Sequence, residues 1–181
     1  MSKLWKSVWV LGATVLLGLG MSGVVLGATG TGPYYATPSW DQKLPSDTRF
    51  IVLTNWNSEA VLDRETGLVW EQSPSTATYD WFNASVHCVR LSKGGRKGWR
   101  LPTIQDLASL IDPTQSNPSL PSGHPFTVHV GYWSATGIAS SLNPDSAWIV
   151  FFSNGFVGFS LKSIDIFLAW CVRGGPGVDP Q

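Results

Sequence analysis

The residues with the widest chemical reach in this chain are few. There are three histidines, His87, His124 and His129, and two cysteines, Cys88 and Cys171. An imidazole that activates a thiol is one route to nucleophilic catalysis. His87 and Cys88 are adjacent, however, and adjacent residues on a helix point in different directions. His124 and His129 lie five apart in a proline-rich stretch. With a carboxylate such as Asp112 they have the donor types of a metal site, but nothing in their spacing demands one. No catalytic set and no metal set is read from these residues. A denser feature is basic: Arg90, Lys93, Arg96, Lys97 and Arg100 fall within eleven positions with no acid among them. Such a cluster suits a sulfated glycan, a lipid headgroup or another polyanion. The same charges also suit a solvated helix end, where cations complement the dipole. Of the ten tryptophans, Trp70, Trp81, Trp99, Trp133, Trp148 and Trp170 fall inside expected elements and read as core, whereas Trp40 and Trp56 lie outside or at the edge of them. Those two are the better candidates for ligand contact.

The elements that must position these groups follow from pattern. Phe50–Leu53 is a short apolar run with strand character. Val61–Arg64 and Leu68–Glu71 flank Glu65-Thr66-Gly67, where Gly67 supplies the positive φ of a tight turn. From Tyr79 to Leu91 the residues Trp81, Ala84, Cys88 and Leu91 share one helical face, and Gly94-Gly95 is a helix stop. Thr103, with Asp106 three residues on, reads as the N-cap and acidic half of a capping box. Leu107, Leu110 and Ile111 form the buried stripe of this second helix, which Asp112-Pro113 ends. A proline-rich loop spans 113–130. A strand follows at Gly131–Thr136, a hairpin turns at Ser153-Asn154-Gly155 between Ala147–Phe152 and Phe156–Leu161, and Ile166–Arg173 reads as one last buried strand. Strands, two helices, then strands is an α+β order.

The N-terminus carries an address. Lys3 and Lys6 precede an uncharged, largely apolar stretch from Ser7 to Ala28, ending in small residues. Residues 1–28 therefore read as a secretory signal peptide, with an uncleaved N-terminal anchor as the alternative. An anchor would be the chain's one route to a membrane. Removing residues 1–28 leaves about 153 residues, enough for one domain. Residues 29–46 form a Gly/Pro/Ser/Thr-rich linker or arm, 47–174 the domain, and 175–181 a flexible tail. Twelve basic against twelve acidic residues become ten against twelve once Lys3 and Lys6 leave, a net charge near −2. That balance argues against a general nucleic-acid binder. Two cysteines behind an export signal read as one disulfide, with two separate buried thiols as the alternative.

Four motifs occur in order: Leu62-Asp63-Arg64-Glu65-Thr66-Gly67-Leu68-Val69-Trp70, Gly98-Trp99-Arg100-Leu101-Pro102-Thr103, Tyr132-Trp133-Ser134-Ala135-Thr136 and Trp170-Cys171-Val172-Arg173-Gly174. Together they resemble the Lcl C-terminal domain family, long classed as a domain of unknown function, across about residues 50–175. The resemblance implies a C-type-lectin-like fold, with two helices packed on a small antiparallel sheet with long loops. That fold commonly bridges its first helix to its last strand, where Cys88 and Cys171 fall. It also implies an exported or surface-associated protein, since the family takes its name from a bacterial collagen-like adhesin. No Gly-X-Y stretch is present here. The fold group includes formylglycine-generating enzymes, whose cysteine chemistry does not carry over to a structural pair. Sugar-binding C-type lectins hold calcium with a Glu-Pro-Asn or Gln-Pro-Asp triplet and a Trp-Asn-Asp triplet. Asn143-Pro144-Asp145 loosely resembles the first, and no Trp-Asn-Asp follows.

The expectation is an extracytoplasmic, non-enzymatic binding or adhesion module of the cell envelope or surface, recognising glycans or polyanions. Its candidate ligand residues are Asn143, Asp145, Arg90, Lys93, Arg96 and Lys97. No cofactor is expected, calcium at Asn143 and Asp145 being the exception to weigh. The partner expected is a glycan or surface protein, not nucleic acid, and the sequence sets no oligomeric state. Two alternatives stand beside this: a structural protein that self-associates or binds an envelope protein, and an enzyme of unrecognised type.

Overall fold

The computed structural model describes residues 44–140 and 142–175. The expected signal or anchor, most of the 29–46 arm and the tail from residue 176 lie outside them. The elements are α1 (Ser46–Arg49), β1 (Phe50–Val52), a 3-10 turn (Thr54–Trp56), β2 (Ala60–Asp63), β3 (Val69–Glu71), β4 (Thr78–Tyr79), α2 (Trp81–Arg90), α3 (Ile104–Ala108), β5 (Gly131–Gly137), β6 (Ser146–Phe151), β7 (Phe156–Leu161), β8 (Phe167–Leu168) and β9 (Val172–Arg173). The fold is mixed α+β and mostly sheet. Its strands form two sheets, in the orders β1-β2-β3-β9 and β4-β8-β5-β6-β7. All pairings are antiparallel except β5 with β8, which meet at Tyr132 and Leu168.

Short local signals made most of these elements. Gly67 takes φ +71° in the β2–β3 turn, and its N–H donates to the Asp63 carbonyl. The β6–β7 hairpin closes through Gly155, at φ +72°, whose N–H reaches the Phe151 carbonyl. Asp80 caps α2 by accepting the Asn83 N–H, and Thr103 and Asp106 form the complete capping box on α3.

Three expectations need correction. Ile166–Arg173 is not one strand: its ends belong to different sheets, β8 to the five-stranded and β9 to the four-stranded one. Between them Ala169, Trp170 and Cys171 cross with no exposure at all. A continuous apolar run reports burial, and burial looks the same in one sheet or between two. The single small antiparallel sheet is accordingly two sheets. Gly94-Gly95 does not stop α2, which ends at Arg90 with Leu91 already extended. The two glycines, both at positive φ, instead turn a tight Lys93–Arg96 bridge. Finally, α3 ends at Ala108, well before Asp112-Pro113, although Leu107 and Leu110 are fully buried as the stripe requires.

The core has two clusters. One gathers rings on Trp170, whose centroid lies 5.1–5.4 Å from those of Phe126, Trp70, Tyr132 and Phe152. The other surrounds Cys88 and Cys171 with Ala84, Trp99, Leu101, Trp133 and Ile149. Trp70, Trp99, Trp133 and Trp170 are core, Trp81 and Trp148 are half-buried, and Trp40 lies outside the described residues. A buried ion cluster joins α1 to the β2–β3 turn. Arg49, 1% exposed, meets Asp63 through two hydrogen bonds of 2.9 and 2.8 Å and lies 3.3 Å from Glu65. It also donates to the Ser109 carbonyl.

Candidate functional site

Two of the four sequence motifs supply charge only to hold the fold. Asp63 and Glu65 of the first surround Arg49. Arg100 of the second pairs with Asp106 at 2.7 Å, inside the α3 capping box, and donates to the Gly174 carbonyl. Arg100 therefore leaves the basic cluster.

The remaining basic residues separate as well. Past α2, the Lys93–Arg96 turn presses on the 3-10 turn that carries Trp56. A Cβ on Gly94 would come within 3.0 Å of the Trp56 backbone oxygen and closer still to its side chain, so only glycine fits. The Gly94 N–H donates to Glu59 at 2.7 Å, which fixes the turn to the start of β2. This brings the Arg96 guanidinium 5.3 Å from the Trp56 ring centroid. Arg173, on β9, lies 5.5 Å from the same ring, and its Nε donates to the Lys97 carbonyl at 2.9 Å. Trp56, Arg96 and Arg173 thus converge from three distant stretches of sequence, with the Lys97 backbone beside them. Trp56 is half-buried; Arg96 and Lys97 are exposed. The Arg173 guanidinium is the member that the basic run could not reveal, although it stands inside the Trp170–Gly174 motif.

Arg90 goes elsewhere. It lines a cleft of about 700 Å³ along α2 and β4, with Tyr79, Asp80, Asn83 and His87. The His87 ring stacks on Tyr79 at 4.8 Å, and its Nδ1 lies 3.1 Å from the Tyr79 hydroxyl. Burial, aided by the charge of Lys93, lowers the His87 pKa and so favours the neutral ring. Lys93 also acts on Glu71, a wholly buried carboxyl on β3 whose pKa burial raises to about 7. The Glu71 carboxyl accepts the Cys171 N–H at 2.9 Å, and its backbone carbonyl accepts the Trp170 indole N–H. Nothing in the sequence around Glu71 marks it.

Asn143 and Asp145 lie before β6. Asp145 accepts the Ser163 hydroxyl at 2.8 Å and lines a cleft of about 400 Å³ with Asp80, Trp81, Phe82 and Lys162. The Asn143 N–H closes a turn onto the Ser140 carbonyl. Calcium takes six to eight oxygen ligands. Among the described residues no three side chains of His, Cys, Asp or Glu gather as a metal site. His124 has its pKa lowered by burial and accepts the Phe126 N–H, while His129 offers its backbone N–H to Tyr132.

Cys88 and Cys171 form the disulfide, with Cα atoms 5.3 Å apart and both residues fully buried. It joins α2 to the segment that crosses between the sheets. Residues 59–173, well over half the chain, match the family model described as the Lcl C-terminal domain. No curated protein matches the chain.

Proposed function

This chain belongs to the Lcl C-terminal domain family, and we propose that it is an exported, non-enzymatic binding module of the cell envelope or surface. Its ligand is an acidic glycan, whose sulfate or carboxylate is taken by Arg96, Lys97 and Arg173 beside Trp56. The observation that carries this reading is the pair of guanidinium groups within 5.5 Å of one indole. Guanidinium forks match sulfate and carboxylate bidentately, and the indole holds the two guanidinium groups side by side through cation–π contact. Anchoring Arg173 on the Lys97 carbonyl reduces the freedom lost on binding.

The buried disulfide supports an oxidising compartment and hence export. The passage from β-strands through α2 and α3 to further strands, with a bridge from α2 to the C-terminal segment, supports the C-type-lectin-like reading of the fold. Fold alone does not assign a ligand; the support for an acidic one is the cationic cluster on Trp56.

Heparin is the probe. Calorimetric titration of the full chain with heparin, repeated over a series of salt concentrations, should give an affinity that falls steeply with salt. Arg96→Ala should weaken binding roughly tenfold, as loss of a charge-assisted contact implies. It should also flatten the salt dependence, while Asp145→Asn leaves both unchanged. Equal affinity for heparin and its desulfated form, or an Arg96→Ala protein that binds as well as the parent, would overturn the reading.

A further inference from the structure

We propose that the free edge of β7 pairs with the β7 of a second copy of this chain, giving a two-fold dimer centred on Gly158. The proposal is independent of the anion-binding reading.

Strand β7 (Phe156–Leu161) is an outer strand of the five-stranded sheet, paired with β6 on one side and with no strand on the other among the described residues. The β6 register fixes which backbone groups are free. The Lys162 N–H donates to the Asp145 carbonyl, and the register pairs Ser146 with Leu161. Alternation along an antiparallel ladder then turns Ser160, Gly158 and Phe156 toward β6, and Leu161, Phe159 and Val157 outward. The outward end is already closed at Leu161. Its N–H donates to the Asp165 carboxylate and its carbonyl accepts the Asp165 N–H. What remains open is a two-residue ladder, the N–H and carbonyl groups of Val157 and Phe159.

That remainder is self-complementary. An antiparallel partner placing Val157 opposite Phe159 of the second copy satisfies all of these groups with four hydrogen bonds, and the symmetry axis falls on Gly158. Directly opposed residues at such a non-bonded position approach to about 4.5 Å between Cα atoms. Glycine suits that approach. The Phe156 ring folds over Gly158, so close that a Cβ there would lie 2.6 Å from the ring. In the dimer the two Phe156 rings meet beside the axis.

The side chains favour the same occupant. From Asn154 to Leu161 the strand carries no charge and no proline, the usual guards of an exposed edge. Phe156 is 56% exposed, Phe159 52%, Leu161 41% and Val157 36%. Full burial of them would remove roughly 300–400 Å² from each copy on the usual size of such side chains. That is a ceiling, because Phe156 stands on one face of the sheet and Val157, Phe159 and Leu161 on the other, and an added strand covers their flanks; the interface is therefore of the small, reversible class. A neutral, isologous strip matches a second copy of itself better than it matches a charged partner.

Sedimentation velocity of the full chain over a concentration series tests this. A reversible monomer–dimer equilibrium is expected. Val157→Pro removes an outward N–H from each copy and leaves the β6 ladder intact, so it should raise the dissociation constant roughly tenfold or more. At concentrations too low for the parent to dimerise, its melting temperature should remain that of the parent. Phe159→Lys, which sets a charge against Val157 of the second copy, should act likewise and serves if Val157→Pro fails to fold. A parent chain that stays monomeric up to its solubility limit would overturn the proposal. So would a dimer that both edge variants leave unchanged.

Discussion

Glu71 places a carboxyl where ionisation is unfavourable. Burial raises its pKa from an ordinary 4.5 to about 7, against the opposing pull of the Cys171 N–H and the Lys93 charge. In the unfolded chain the same group releases its proton near the ordinary value. Between the two values the folded chain therefore holds a proton that the unfolded chain has lost. The contribution of this group to stability is full below about pH 4.5 and is lost as the pH rises through about 7. The span corresponds to on the order of 3 kcal/mol. Thermal melts at about pH 5.5 and pH 8 should show the parent more stable in acid, with Glu71→Gln narrowing the difference. A variant with the parent's pH dependence would remove Glu71 from this account. Nothing in the sequence pointed to this residue, because its surroundings come from Cys171 and Lys93, far along the chain. The same limit hid the partners of Arg49 and the arrival of Arg173 at Trp56. Residue type shows what a side chain can do, and long-range folding decides which of them meet. The motif residues Asp63, Glu65 and Arg100, with Asp106 of the capping box, accordingly read as charge in the sequence and serve as framework in the fold.

Elements defined by neighbours three or four residues apart were legible. The α3 cap is the clearest: the Thr103 hydroxyl accepts the Asp106 N–H at 3.0 Å, and the Asp106 carboxylate accepts the Thr103 N–H at 3.0 Å. Thr103→Ala should lower stability by ~1 kcal/mol in urea or guanidinium unfolding, with an unchanged denaturant slope. A loss near zero would mean that packing of Leu107 and Leu110 alone holds the turn. The β2–β3 and β6–β7 turns were equally readable, since Gly67 and Gly155 sit where positive φ is required. Strand membership was not. Phe167–Leu168 and Val172–Arg173 differ in which sheet they join, and that depends on partners far earlier in the chain, Thr78 for Leu168 and Val69 for Arg173. The length of α3 was not legible either: past Ala108 the α-helical pattern gives way to i→i−3 bonds from Leu110 to Leu107 and from Ile111 to Ala108, while the buried stripe continues to Leu110.

At the scale of the molecule, two sheets share one covered segment, Ala169–Trp170–Cys171, and the disulfide fastens α2 to it. This link was legible because a chain with two cysteines offers one pairing. The sheet arrangement around it was not, since strand order follows from tertiary packing. The cross-link closes a loop with a sequence separation of 83 residues. It also defines the path that tension takes. A pull on the two ends travels along the chain to Cys88, through sulfur to Cys171, and out, leaving everything between them slack. A single oxidised molecule stretched to full length should therefore fall short of its reduced form by roughly 280 Å, at the usual extended rise per residue. Force spectroscopy before and after a reductant measures that gap directly, and equal lengths would mean the bridge is absent. Under load applied at its two ends, more than a third of the chain is thereby insulated from tension.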